Sequence, residues 1–310
     1  FRDMGGMSMM VKALQDPQVE LRLAAITVLQ RALGDERSRD AIIALGAVAP
    51  LIAQLASSNQ QVRIRAITAV DVLRQFPRGR TAVLANAGVA RLISIIAFSE
   101  DAQEQVLALQ LLDYFSDSPD NKEEVREAGG LTAILQNLAS FPPEGKLYAC
   151  LNIGHLCSTE KNRQALAEQK GLLPFITTVQ GLLRVAEHSF NQQEATAPSG
   201  ERFVPSEKLM VALTTLLNLI YNMAEISEFR PALRDADAAQ FACEMFGSHS
   251  EHIQIHAVRA LTALAKDPKN KVVIRTGAGK RLKEFALNST NTLLAQSSSQ
   301  VNNLIDASSS

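Results

Sequence analysis

The sequence predicts an all-α chain built as a stack of helical repeats, and three observations carry that expectation. The segment QVRIRAITAVDVL, within residues 60–73, returns as LRLAAITVLQRAL at 21–33 and as VLALQLLDYF at 106–115. Ala25, Ala66 and Ala108 are equivalent, separated by 41 and then 42 residues. A fixed period in the low forties marks a repeat array. A pair of Gly or small residues also recurs before an apolar stretch, at 5–6, 46–47, 87–88, 129–130, near Gly171 and at 277–279. Finally, hydrophobic residues make up 46% of the chain and aromatics 5%, with no Trp. Ala, Leu, Val and Ile must therefore build the interior, which suits closely packed helices. The 310 residues exceed what one core comfortably supports but are natural for stacked units.

Each unit reads as a short helix, a corner, an apolar second helix, a turn and a longer third helix. The corner needs a residue that tolerates positive φ or close backbone approach, because the first two helices meet at a sharp angle. Second helices read as 6–14, 48–56, 89–97, 131–139 and an extended 172–187. Third helices read as 18–33, 60–73, 106–115, 145–157, 207–224 and 252–265. In 60–73 the small and aliphatic residues fall three or four apart, which draws one apolar stripe and leaves Arg63 and Arg65 to solvent. The units then run from a partial first through 36–75, 79–117 and 120–158. A fifth starts at Lys161, a sixth near Ile226 and a seventh spans 270–287. The array thus covers 1–287. The polar stretch 188–205, with Pro198, Gly200 and Pro205, is expected as a loop insertion. Residues 288–310 are rich in Ser and Asn but keep Leu293, Leu294, Val301, Leu304 and Ile305, and are expected to form a degenerate C-terminal capping segment, a frayed helix, or a tail. Phe1 opens inside a repeat, so the sequence reads as a piece of a longer chain.

The combination in EEVREAGGLTAILQNLAS at 123–140, an acidic first helix, a small-residue corner, an apolar helix and then an alanine-bearing third helix, resembles the armadillo repeat. HEAT repeats share the architecture, but the corner and the three-helix period favour the armadillo family. The resemblance covers nearly the whole chain and points to no specific member. It implies a right-handed α-solenoid of about six to seven three-helix units whose third helices line a concave groove.

Motifs for chemistry are sparse. Lys plus Arg number 31 and Asp plus Glu 32, so no global field attracts nucleic acid. Arg63, Arg65, Arg74, Arg78, Arg80 and Arg91 are read as a cluster in repeat two and predict a local positive patch. His252 and His256 lie four apart but without an HExxH pattern. GAGK at 277–280 lacks the rest of a phosphate loop and reads as a corner. Cys150 and Cys157 stand about 10 Å apart along one helix, too far for a disulfide. With Cys243 they read as packed thiols in a reducing cytoplasmic or nuclear setting. No apolar run reaches a membrane span, although an anchor outside these residues remains compatible. No enzyme activity, cofactor or metal is expected.

The resemblance implies binding of an extended peptide along the third helices. The family's backbone-clamping Asn falls at Arg31, Val72, Tyr114, His155, Asn222 and Ala263. The position four residues earlier, Trp in importin-α, falls at Thr27, Thr68, Gln110, Leu151, Asn218 and Arg259. Without Trp and without an Asn ladder, an importin-like groove is disfavoured. The candidate contacts are Arg31, Gln110, Tyr114, His155, Asn218, Asn222 and Arg259. The expected function is a protein-interaction scaffold or adaptor that binds a partner polypeptide. The alternatives are a nucleotide-exchange cofactor of a seventy-kilodalton heat-shock chaperone, a nuclear transport receptor, or an autoinhibitory regulatory domain.

Overall fold

In a computed structural model residues 5–117, 121–196 and 203–307 are described, and all regular elements among them are helices. The chain divides into two compact units, Phe1–Asn152 and Ile153–Ser310.

The first unit contains α1 (Gly6–Ala13), α2 (Val19–Ala32), α3 (Glu36–Ala44), α4 (Val48–Ala53) with a 3-10 turn Gln54–Ala56, and α5 (Gln60–Arg74). It continues with α6 (Pro77–Ala85), α7 (Gly88–Phe98), α8 (Ala102–Asp117), α9 (Lys122–Glu127), α10 (Gly130–Asn137) and most of α11 (Pro143–Leu156). The helix starts are written in the sequence. Asp35 caps α3 through Ser38 N at 2.8 Å, Asn59 caps α5 through Val62 N at 3.2 Å, and Asp101 accepts from Glu104 N at 2.8 Å. Each satisfies a donor that the first turn leaves unpaired.

The corners behave as their residues require. The axis turns by 82° at the α3–α4 corner and by 67° between α6 and α7. Gly46 has φ 71°, and Gly46 N and Ala47 N donate back to Ile43 O and Ile42 O at 3.0 and 3.2 Å. This is a Schellman termination. Ala87, at φ 58°, holds the same conformation without being glycine. The equivalent alanines Ala25, Ala66 and Ala108 are fully buried, and α2 packs on α5 and α5 on α8.

Two sets of side-chain bonds stitch the repeats. A long polar side chain near a helix start repeatedly donates to the carbonyl six residues earlier, closing the turn from the preceding helix. Arg22 donates to Asp16 O, Arg63 to Ser57 O, Arg80 to Arg74 O and Gln105 to Ser99 O, at 2.7 to 3.2 Å. The repeat period itself appears as bonds between units. Gln60 donates to Asp101 at 2.6 Å and Arg63 to both oxygens of Glu104 at 2.9 and 3.0 Å, each across 41 residues. Asn152, fully buried on α11, donates to Leu109 O and Tyr148 O and accepts from Ser116 Oγ, so every polar atom of its amide is used.

The second unit holds α12 (Glu160–Glu168), α13 (Leu172–Thr196), α14 (Glu207–Ala224), a 3-10 turn Ser227–Phe229 leading into α15 (Arg230–Asp235), and α16 (Ala238–Phe246). It ends with α17 (Glu251–Leu264), α18 (Pro268–Asn288) and α19 (Thr292–Asp306). The third helices α14, α17 and α19 pack in succession.

Two expectations change here. The expected loop over 188–205 is helical to Thr196 as the end of α13, and 203–206 is coil; the part at 197–202 lies outside the described residues. The run FNQQEA keeps good helix formers despite its polarity. The corner expected at 277–279 does not exist: α18 runs straight through it. Gly277 serves close approach instead, since a Cβ there would stand 3.1 Å from Cys243 Sγ and Cβ. The sixth corner is Asp237, at φ 51°, with no glycine to mark it. The stretch expected as a degenerate cap or tail contains α19, which buries Leu294, Val301 and Ile305. Ser298, also buried, stands 41 residues after Ala257 and so occupies the small-residue position of a further third helix.

Candidate functional site

The exposed side of the third helices carries most of the candidate contacts, and they form two separate groups. In the first unit Arg31 and Gln110 are exposed, and Tyr114 is half-buried near the end of α8. Arg80 donates to the Tyr114 hydroxyl at 2.9 Å, and the Arg74 guanidinium lies 4.4 Å from the ring centroid. Arg74 also donates to Asp71 at 2.6 Å. An aromatic face flanked by two guanidinium groups gains cation–π attraction and is held in place. Beside it a cleft of 450 Å³ is lined by Pro77, Arg80, Thr81, Leu84, Tyr114, Asp117 and Asn121. A cleft of 670 Å³ lies elsewhere, against Arg63, Arg91, Ser94, Phe98 and Glu104. The Arg63–Glu104 pair in its wall already satisfies its own charges.

The second unit brings three of the candidates onto the adjoining helices α14 and α17. Asn218 Oδ1 and His256 Nδ1 are 2.9 Å apart. Arg259 lies 5.1 Å from the Tyr221 ring centroid, and Asn222 and Arg259 are exposed. His252 and His256 meet edge to face at 4.9 Å. Burial, the nearby His252 and the Arg259 charge hold the His256 pKa below the usual histidine value. His155 is half-exposed near the end of α11, where its carbonyl accepts from Ser158 Oγ at 2.9 Å.

Three of the six arginines of the expected positive patch meet a carboxylate. Arg63, expected in solvent, reaches Glu104, whose side chain is 0% exposed, and Ser99 Oγ donates to the same carboxylate at 2.7 Å. Arg74 pairs with Asp71 and Arg78 lies 3.4 Å from Asp40. The stripe reading placed Arg63 on the outer face correctly, but the neighbouring repeat covers that face. Tyr221, His256, Arg74 and Arg80 belong to the two groups although the groove positions do not include them. The signal available in the sequence was helical spacing: Tyr221 follows Asn218 by three residues, and His256 precedes Arg259 by three.

The sulfur and imidazole chemistry is muted. Cys150, Cys157 and Cys243 are free and buried. Burial pushes the thiols of Cys157 and Cys243 up to about 12, and that of Cys150 upward as well. Such thiols stay protonated and unreactive. Among the described residues no cluster of three His, Cys, Asp or Glu could hold a metal, and no helix is long and apolar enough to cross a membrane.

No protein-family model matches the sequence, and no curated protein matches it. Solved structures do. An engineered protein is 21% identical with a TM-score of 0.71, over 98% of this chain and 69% of that one. A designed armadillo repeat protein in complex with the peptide (KR)4 is 18% identical with a TM-score of 0.63, over 83% and 99%. A chain from work on a phosphorylation switch that controls the interaction between cadherin and beta-catenin is 16% identical with a TM-score of 0.72. That match spans 97% of this chain and 52% of the other. The fold is that of armadillo repeats, an all-α solenoid.

Proposed function

We propose that this chain is a protein-interaction scaffold that binds an extended peptide segment along the exposed faces of its third helices. The observation that carries the reading is the sorting of side chains on those helices. On α14 and α17 the apolar residues are buried against neighbours, while Asn218, Tyr221, Asn222, His256 and Arg259 gather on one accessible face. Amide, aromatic and guanidinium groups suit a peptide backbone and its side chains, and Tyr and Arg are enriched in interface hot spots. Solved structures with this fold include a designed protein bound to a peptide, which supports the same use of the fold here. The buried, unreactive thiols fit a binding module. They are also compatible with a cytoplasmic or nuclear setting.

The test is a peptide array probed with the purified chain, repeated with Tyr114→Ala and with Tyr221→Ala. Binders whose affinity falls about tenfold or more in either variant, with the melting temperature of the chain little changed, support the scaffold. Binding that ignores both substitutions, or no binding at all, overturns it.

A further inference from the structure

We propose that the face shared by α14 and α17 selects acidic peptides, with Arg259 gripping an Asp or Glu side-chain carboxylate and His256 adding a second, proton-dependent contact. The proposal rests on the reading of the third helices as a peptide-binding surface and names the partner's chemistry.

Arg259 carries the argument. It is exposed on α17, its guanidinium rests by the Tyr221 ring at 5.1 Å, and among the described residues it has no acidic partner. A guanidinium stacked on an aromatic face keeps its N–H edge turned outward, in the fork geometry that matches a carboxylate. Arg22, Arg39, Arg63, Arg80 and Arg163 instead spend N–H groups on backbone carbonyls. Arg259 is placed and unspent.

His256 lies one turn away and faces α14. The Asn218 amide oxygen can only accept, so the 2.9 Å contact puts the ring proton on His256 Nδ1. The neutral ring then presents a lone pair at Nε2. Protonation converts that atom into an N–H donor, so the same face becomes more favourable to an anion as pH falls. The charged groups that act on His256 are His252 and Arg259, both cationic when charged.

Carboxylates on the packed helices are engaged elsewhere. Glu225 at the end of α14 pairs with Lys266, and Glu251 at the start of α17 accepts from Asn291. Glu244 of α16 accepts from Gln180 and Gln240, and Asp306 of α19 lies 4.0 Å from Arg275 of α18. The remaining titratable groups of α14 are Glu207 and Lys208 in its first turn and the Tyr221 phenol. Glu244 and Glu251, bonded to neutral amides, keep their charges at the edges, and on the face itself Arg259 is the cation, although the chain carries a net charge of −1. A basic peptide meets like charge here, and an acidic one meets its complement.

The experiment measures fluorescence anisotropy of the full chain with labelled, unstructured peptides of equal length. One alternates Asp with Ser, one Lys with Ser, one phosphoserine with Ser, and one contains Ser alone. The Asp peptide should bind about tenfold tighter than the Ser peptide at low salt and lose that advantage as salt rises. Arg259→Gln should remove most of the preference and Arg259→Lys should restore part of it. Lowering the pH by about one unit from neutrality should strengthen binding of the Asp peptide, and His256→Gln should abolish that gain. Equal binding of the Asp and Ser peptides, a preference for Lys, or an Arg259→Gln chain that binds the Asp peptide unchanged overturns the proposal. So does binding of the phosphoserine peptide alone. If the Lys or Ser peptide binds while the Asp peptide does not, acidic selection fails and the scaffold survives. If none of the four binds and the peptide array is also blank, both fail.

Discussion

Two ion pairs join neighbouring repeats across the same 41 residues, Arg63–Glu104 in the first unit and Glu225–Lys266 in the second, yet their surroundings are opposite. Glu104 is 0% exposed and takes two bonds from Arg63 and one from Ser99. Glu225 and Lys266 are 36% and 42% exposed. The period determines which residues meet, and burial determines what the meeting is worth. A solvated pair gains little because water already satisfies both charges. A buried one becomes indispensable once made, since removal of either partner leaves the other group without compensation. Individual corners differ as well. After the left-handed Ala87 and Gly129 come Gly88 and Gly130, where a Cβ would stand 2.4 or 2.6 Å from Val83 Cγ1 or Val125 Cγ1. After the left-handed Asp237 comes Ala238, five residues after Leu233.

The contrast between the pairs breaks most visibly at Glu104. Glu104→Ala should cost about 3 kcal/mol of stability, less than for a fully buried pair because Arg63 keeps some access to solvent. Lys266→Ala should change stability by less than about 0.5 kcal/mol. Urea unfolding of both variants measures the difference, and equal costs would mean that burial is not what separates the two pairs. Gly130→Ala comes next, at about 2 kcal/mol, because the new methyl meets the Val125 carbonyl as well as its side chain. Ala238→Gly should cost only about 0.5–1 kcal/mol, through backbone entropy. A harmless Gly130→Ala would show that the corner can relax as the Asp237 corner does.

The smallest effect concerns His256. Its folded pKa lies below the ordinary value of 6.5, so the unfolded chain binds the proton more readily. Its contribution is full above the unfolded pKa and is lost as pH falls through 6.5 toward the folded value. Replacement by Gln should therefore reduce, slightly, the drop in melting temperature between neutral and mildly acidic pH. An identical drop in parent and variant would remove His256 from the account.

Much of the array was legible because its signals are local. The apolar stripes and the glycines at 46 and 129 each act within one or two turns of helix, and the alanine period repeats them. The errors share a cause as well. Gly277 looked like a corner because glycine permits two things, positive φ and close approach, and only the presence of Cys243 across the helix contact says which one applies. Asp237 was invisible because Asp reaches the left-handed region without looking like a turn. The Ser- and Asn-rich end, by contrast, kept apolar residues at helical spacing, and Leu294, Val301 and Ile305 are buried on α19. Of the candidate site, the third-helix positions Asn218, Asn222, Tyr114 and Arg259 were readable from the repeat register. That His256, Tyr221, Arg74 and Arg80 would be their partners was not, because those contacts cross between helices.

By itself the sequence determined the repeat, its period, the helical character of most segments and which face of the third helices is apolar. These depend on spacing along one chain, where neighbours in sequence are neighbours in space. The tertiary structure alone decided that Arg63 is neutralised while Arg259 is left free, and that Tyr114 lies against two arginines. It also decided that His256 meets the Asn218 amide. Those outcomes depend on groups from 34 to 41 residues apart whose charges and hydrogen bonds interact only after the helices have stacked.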